Sequence, residues 1–195
     1  MALWFSADEH FGSQRALELC KRPFDTVETM DAHMVKQWNL HVLSSDTTYV
    51  LGDFGTYARM SKLNGRIVLL LGNYELKDIQ QKFGGDFKRF KDFIHAIKED
   101  VEIISNPRLL DFSDLFTEQI YWVCHEPLDM HRKYFNLFGH IHGTQMVKKH
   151  GLNVGVDCHH FRPIDLYTIQ FYQDAIESKY DLNVFCDELT LTKNN

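Results

Sequence analysis

The stretch Leu3-Trp4-Phe5-Ser6-Ala7-Asp8-Glu9-His10 sets a pattern that recurs along the chain. A short apolar run, strand-like from Leu3 to Ala7, leads straight into a polar cluster with a carboxylate and an imidazole two residues apart. Thr48 to Leu51 ends in the same way at Gly52-Asp53, and Ile67 to Leu71 at Gly72-Asn73. Ile120 to Cys124 ends at His125, and Asn136 to Phe138 at Gly139-His140-Ile141-His142-Gly143. Short apolar runs closed by turn residues read as buried strands. Ligands in α/β folds gather beyond the carboxyl ends of strands. Five endings of this kind predict one site assembled from five loops.

The segments between are partly helical. Asp25 and Glu28 are spaced as a capping box, and Val27, Met30, Met34, Trp38 and Val42 follow at helical intervals. Phe87, Phe90, Ile94 and Ile97 line a second helix, and Val101 to Ile104 is strand-like. Leu109 to Phe112, Leu152 to Val156 and Leu166 to Phe171 are predicted as strands, with a helix near Gln173 to Lys179 and a fraying polar tail after Asp187. No linker or repeat interrupts this order. The expectation is a single α/β domain over residues 1–195.

Composition narrows the function classes. A net charge of −6 disfavours a protein that grips extended nucleic acid. The basic pairs Lys88-Arg89, Arg132-Lys133 and Lys148-Lys149 read as solvated surface. The chain shows no basic leader and no long apolar run, which predicts no membrane span and cytoplasmic residence. Cys20, Cys124, Cys158 and Cys186 lie far apart and read as reduced packing residues. The eleven histidines are the unusual entry, and their placement matters most.

Asp8 and His10 stand at i, i+2, and His140 and His142 repeat that spacing between glycines. Asp53 and Asn73 each follow a glycine, where the absent side chain allows close approach. With His125 this makes seven candidate ligands. Mixed imidazole, carboxylate and amide oxygen donors suit Mn, Fe, Zn or Ni. Seven donors are too many for one tetrahedral ion and fit two ions that share a carboxylate, the arrangement used for in-line displacement at phosphorus.

Taken together, Asp8-Glu9-His10, Gly52-Asp53, Gly72-Asn73-Tyr74-Glu75, His125 and Gly139-His140-Ile141-His142 resemble, in order, the motifs of the calcineurin-like metallophosphoesterases. Asn153-Val154-Gly155-Val156-Asp157 with Arg162-Pro163 is similar to the ending of small bacterial and phage-type members. The resemblance implies a four-layer α/β/β/α sandwich of two mixed sheets flanked by helices. It implies one metal on Asp8, His10, Asp53 and His142, and a second on Asp53, Asn73, His125 and His140. It implies hydrolysis of a small phosphomonoester or phosphodiester, nucleotides included, by attack of a metal-bridging hydroxide. Two divalent ions against two carboxylates would leave the site locally positive and attractive to phosphate.

The departure is Tyr74, which stands where the family has a histidine that assists the leaving group. A phenol keeps its proton at neutral pH and can donate it, but carries no charge. Tyr74 and Glu75 are therefore the candidate catalytic residues beyond the metals, Glu75 as an orienting group or a structural one. Arg22 and Arg162, each beside a proline, are candidate phosphate contacts, with a surface ion pair as the plainer reading. Glu9 is expected to face solvent or to stand behind the ligands. His33, His41, His95, His131, His150, His159 and His160 read as surface or hydrogen-bonded structural residues. Two rival functions remain: a catalytically weakened member that binds a protein partner, and a nuclease. Tyr74 favours the first, and the short acidic chain counts against the second.

Overall fold

A computed structural model describes residues 1–113 and 119–179. Four parallel strands, β1 (Leu3–Ser6), β2 (Thr47–Val50), β3 (Arg66–Leu70) and β4 (Val101–Ile104), form the body of one sheet. The second sheet contains β5 (Arg108–Asp111), β6 (Ile120–Val123), β7 (Phe135–Phe138), β8 (Val147–Lys148) and β9 (Gly151–Asn153) in the order β5-β6-β7-β9-β8. There β6, β7 and β9 run parallel, while β5 and β8 are antiparallel edges. The short β10 (Ile164–Asp165) pairs antiparallel with β1 and completes the first sheet. The architecture is mixed α/β with two five-stranded mixed sheets.

The sequence pattern explains the layering. On β1 to β3, Trp4, Val50, Ile67 and Leu69 point to one side, and Leu3, Phe5, Val68 and Leu70 to the other. The first set packs under helices α2 (Val27–His41), with Met30, Met34 and Trp38, and α4 (Phe87–Ile97), with Phe90 and Ile94. The second set meets Tyr121, Val123, Phe135, Leu137 and Leu152 of the other sheet. Both faces of the first sheet are thus buried, which is why its strands read as continuous apolar runs.

Local capping differs from the sequence reading. Helix α2 is capped by Thr26, one residue after the expected Asp25. The Thr26 hydroxyl accepts from Thr29 N–H at 3.2 Å, and the Thr29 hydroxyl accepts from Thr26 N–H at 3.2 Å. Two helices were not anticipated. Helix α1 (Gln14–Leu19) starts at Ser13, whose hydroxyl accepts from Ala16 N–H, and α3 (Asn73–Lys82) starts at Gly72.

The largest correction concerns Leu166 to Phe171, expected as a strand. It is the first half of helix α5 (Leu166–Lys179). Asp165 decides this, accepting from Thr168 N–H at 2.9 Å and from the Thr168 hydroxyl at 3.0 Å. With that cap set, Leu166, Ile169 and Ile176 fall on one face and enter the cluster between the sheets. The polar tail after Asp187, and Cys186, lie outside the described residues. No helix among the described residues is long and apolar enough to cross a membrane.

Candidate metal centre

The carboxyl ends of β1, β2, β3, β6 and β7 all release their chains toward one place. Backbone hydrogen bonds tie the loops together, with Asp8 N–H donating to Gly52 C=O, His10 N–H to Asp53 C=O and Gly139 N–H to His125 C=O. Gly52 and Gly72 make the closest approach. A Cβ on Gly52 would lie 2.6 Å from the Gly72 Cα, and one on Gly72 would lie 2.5 Å from an Asp53 oxygen. The glycines therefore let backbone meet backbone, and the side chains that follow them converge as a result.

All seven candidate ligands arrive at this place. The donor atoms of Asp8, His10 and His142 lie within 4.8 Å of one another, as do those of Asp53, His125 and His140. Asp53 stands between the sets, with Oδ2 3.6 Å from His10 Nε2 and 3.5 Å from His125 Nε2. The Asn73 carboxamide closes the second set, 2.9 Å from His125 Nε2 and 3.2 Å from His140 Nδ1.

Backbone strain is concentrated in the same residues. Among the described residues nine non-glycine positions have positive φ, and five of them are Asp8, His10, Asp53, His140 and His142. Left-handed conformations cost on the order of 1–3 kcal/mol each outside glycine and persist where surrounding structure enforces them. Such clustering points to function.

The hydrogen bonds behind the ligands fix which nitrogen faces the centre. His125 Nδ1 lies 2.7 Å from Leu51 C=O and His142 Nδ1 2.8 Å from Asp157 Oδ2, so in each ring Nδ1 is the donor, and the neutral ring a metal would need would present its lone pair at Nε2. His10 is the test of fit. It is 2% exposed, and neither ring nitrogen has a hydrogen-bond partner among the described residues. A buried imidazole left this way is costly unless something coordinates it. A divalent cation suits the donor set.

Electrostatics carry the same imprint. Burial pushes Asp8 up to about 6 and His10 down to about 4. Burial pulls His125 and His142 down, but carboxylates outweigh it: Asp53 holds His125 up at about 9, and Asp157 holds His142 up at about 10. Without metal, these two imidazolium ions join the Arg22 guanidinium as positive charges among the carboxylates. Both pKa values lie above the unfolded value of about 6.5. Their stabilising contribution is therefore complete below that value and is lost as pH rises through about 9 to 10. Chelator-treated protein should show a melting temperature that falls between pH 6.5 and 10, with divalent metal restoring it at the alkaline end. A flat or rising profile in thermal melts would contradict this assignment.

Other expected roles shift. Glu75 is 0% exposed, and its carboxylate accepts from the N–H groups of Asp53, Phe54 and Gly72 at 2.8, 2.9 and 2.9 Å. It staples two ligand loops together and is not among the residues that line the groove, the geometry of a positioning group. Tyr74 does border the groove, its ring edge-on to His10 with centroids 4.7 Å apart. Glu9 does not face solvent. It is 1% exposed, and burial raises its carboxyl to about 8.

Arg22 is neither a phosphate contact nor a surface pair. Its guanidinium is buried and donates to Asp157 through Nε and Nη2 at 2.8 Å, to Asp8 C=O at 2.6 Å and to Glu9 C=O at 2.8 Å. Arg162 is half-buried and does not line the groove. The sequence reading did not single out Asp157 as a site residue, although the strand-like run Leu152 to Val156 ends at this acid. His41, His95 and His159 bond to backbone carbonyls, as structural histidines do. The described thiols of Cys20, Cys124 and Cys158 are free.

No family model matches the chain. It is 27% identical over 182 residues to "Uncharacterized protein MJ1445" of Methanocaldococcus jannaschii, across 84% of this chain and 86% of that one. It is 32% identical over 81 residues to the Gene 66 protein of Mycobacterium phage L5, across 37% of this chain and 39% of that protein. Among solved structures it resembles the protein of unknown function AQ665 from Aquifex aeolicus. The TM-score is 0.63 at 18% identity, covering 88% of this chain and 98% of that one. That likeness bears on the fold alone.

Proposed function

We propose that the protein is a binuclear metal-dependent phosphoesterase of the calcineurin-like kind, a single four-layer α/β/β/α domain acting on small phosphomonoesters or phosphodiesters. The observation that carries this reading is the pair of donor sets meeting at Asp53, with His10 buried and unpartnered in one of them. Asp8, His10, Asp53 and His142 would hold one transition-metal ion, and Asp53, Asn73, His125 and His140 the other. Such ions, when bound, polarise phosphoryl oxygens and activate the attacking water.

The rest falls to the chain. Asp157 and Leu51 C=O fix the tautomers of His142 and His125, and Arg22 and Glu75 hold the ligand loops in place. The groove over the site, about 650 Å³, has the size of a small-molecule pocket. Ala16, Leu19 and Ile141 give it an apolar wall suited to the ring of an aryl or nucleoside leaving group, and Arg15 and Lys21 supply cations at its side. These two replace Arg22 and Arg162 as substrate contacts.

The direct test measures metal content alongside hydrolysis of bis-p-nitrophenyl phosphate, after reconstitution with Mn or Zn and again in chelator. Two ions per chain and chelator-sensitive turnover support the reading; full activity in chelator after all metal has been removed excludes it. Tyr74 shapes specificity. A phenol is a weaker general acid than a protonated imidazole, so aryl esters should turn over far faster than alkyl esters. Tyr74→His should speed alkyl esters by ~10–100-fold and aryl esters little. An unchanged dependence on leaving-group acidity with both metals bound removes Tyr74 from proton transfer.

A further inference from the structure

A second cavity, of about 550 Å³, shares no lining residue with the metal groove. Met130, His131, Arg132, Asn136, Lys148, Lys149 and His150 surround it. Among the described residues that line it, three are cations, two are imidazoles and none is an acid, in a chain whose net charge is −6. The sequence presents these residues as two separate basic pairs, each unremarkable. Folding places them around one hollow.

Asn136 builds that hollow. It is 0% exposed, on the second residue of β7. Its side-chain oxygen accepts from His131 N–H at 2.6 Å. Its amide nitrogen donates to the carbonyls of His131, Tyr134 and His150 at 3.0, 2.8 and 2.9 Å. One buried carboxamide thus ties the 131–134 loop to the tip of the β8–β9 hairpin. The His131 ring is pinned between Trp122 and Tyr134, with centroids 5.0 and 4.9 Å away. His150 completes the tip with a left-handed φ of 59°. A hollow lined by cations and imidazoles on two loops tied together is the kind of site that binds phosphate.

We propose that this pocket is a second anion-binding site, which takes the phosphate groups of a polyphosphorylated ligand. It lies about four residues before His140 on β7, on the order of 13 Å along the strand, so it does not belong to the metal centre. A free polyphosphate or nucleotide and the backbone of a short single strand present the same chemistry.

The test measures binding of two probes to the full chain: inorganic tripolyphosphate, and a labelled five-nucleotide strand with cleavage-resistant phosphorothioate linkages. Arg132→Ala/Lys148→Ala should weaken both probes at least tenfold. For the strand, the slope of log affinity against log salt should fall by about 1.4, the loss of two single-strand phosphate contacts. Arg132→Lys, which keeps the charge, should retain binding. Turnover of bis-p-nitrophenyl phosphate should be unchanged in both variants, which separates this site from the metal centre and reports intact folding. A strand bound more tightly than tripolyphosphate identifies nucleic acid as the source, and the reverse identifies a free phosphoanion. Undiminished binding of both probes by the double variant overturns the proposal, whatever the metal centre does.

Discussion

Asp53→Ala is expected to lose both metal ions together and with them at least ~10³-fold of turnover, because several kcal/mol of electrostatic stabilisation leave at once. Asp53 adjoins both donor sets, with Oδ2 3.6 Å from His10 Nε2 and 3.5 Å from His125 Nε2. Its other oxygen accepts from Tyr74 N–H at 2.9 Å and so also anchors the start of α3. His142→Ala should behave differently, weakening the set with Asp8 and His10 and leaving the set with His125 and His140 intact. Elemental analysis of the two variants under equal metal activity distinguishes them. Two ions retained at undiminished affinity in Asp53→Ala would mean that the ligand assignment is wrong.

Arg22→Ala should be the most damaging change to stability, on the order of 3–5 kcal/mol in a denaturant titration of the metal-free protein. The guanidinium is completely enclosed and divides its donors among the Asp157 carboxylate and the carbonyls of Asp8 and Glu9. Removing it leaves two buried carbonyls and much of a buried carboxylate without partners. It also frees Asp157, on which His142 depends for its tautomer, so metal affinity should fall as well, by ~10–100-fold. Arg22→Lys should rescue little, since an ammonium cannot reproduce the forked geometry. A loss below about 1 kcal/mol with unchanged metal affinity would show that this strut is dispensable.

The seven candidate ligands were legible because their signal is local. An apolar run buries a strand, a glycine or polar residue stops it, and whatever follows sits at its carboxyl end. Asp8, Asp53, Asn73, His125 and His140 each carry that signature within a handful of residues. The strands themselves, and the amphipathic helices α2 and α4, follow from the same short-range periodicity. Leu166 to Phe171 shows where that logic stops. Its Leu-Tyr-Thr-Ile-Gln-Phe composition suits either state, and the choice of helix came from the Asp165 cap and from burial of Ile169 and Ile176 between the sheets.

By itself, then, the sequence determined which side chains stand at the strand ends, since burial periodicity and chain-breaking act over a few residues. Only the tertiary structure decided how those side chains are held. Arg22 and Asp157 are 135 positions apart, and nothing local marks them as partners. Glu75 looked like a catalytic neighbour of Tyr74 until the packing of two glycine loops aimed three N–H groups at its carboxylate. Arg132 and Lys148 became one basic pocket only through the buried amide of Asn136. Hydrogen bonds and charges act through space, so their partners are set by which loops the fold brings side by side.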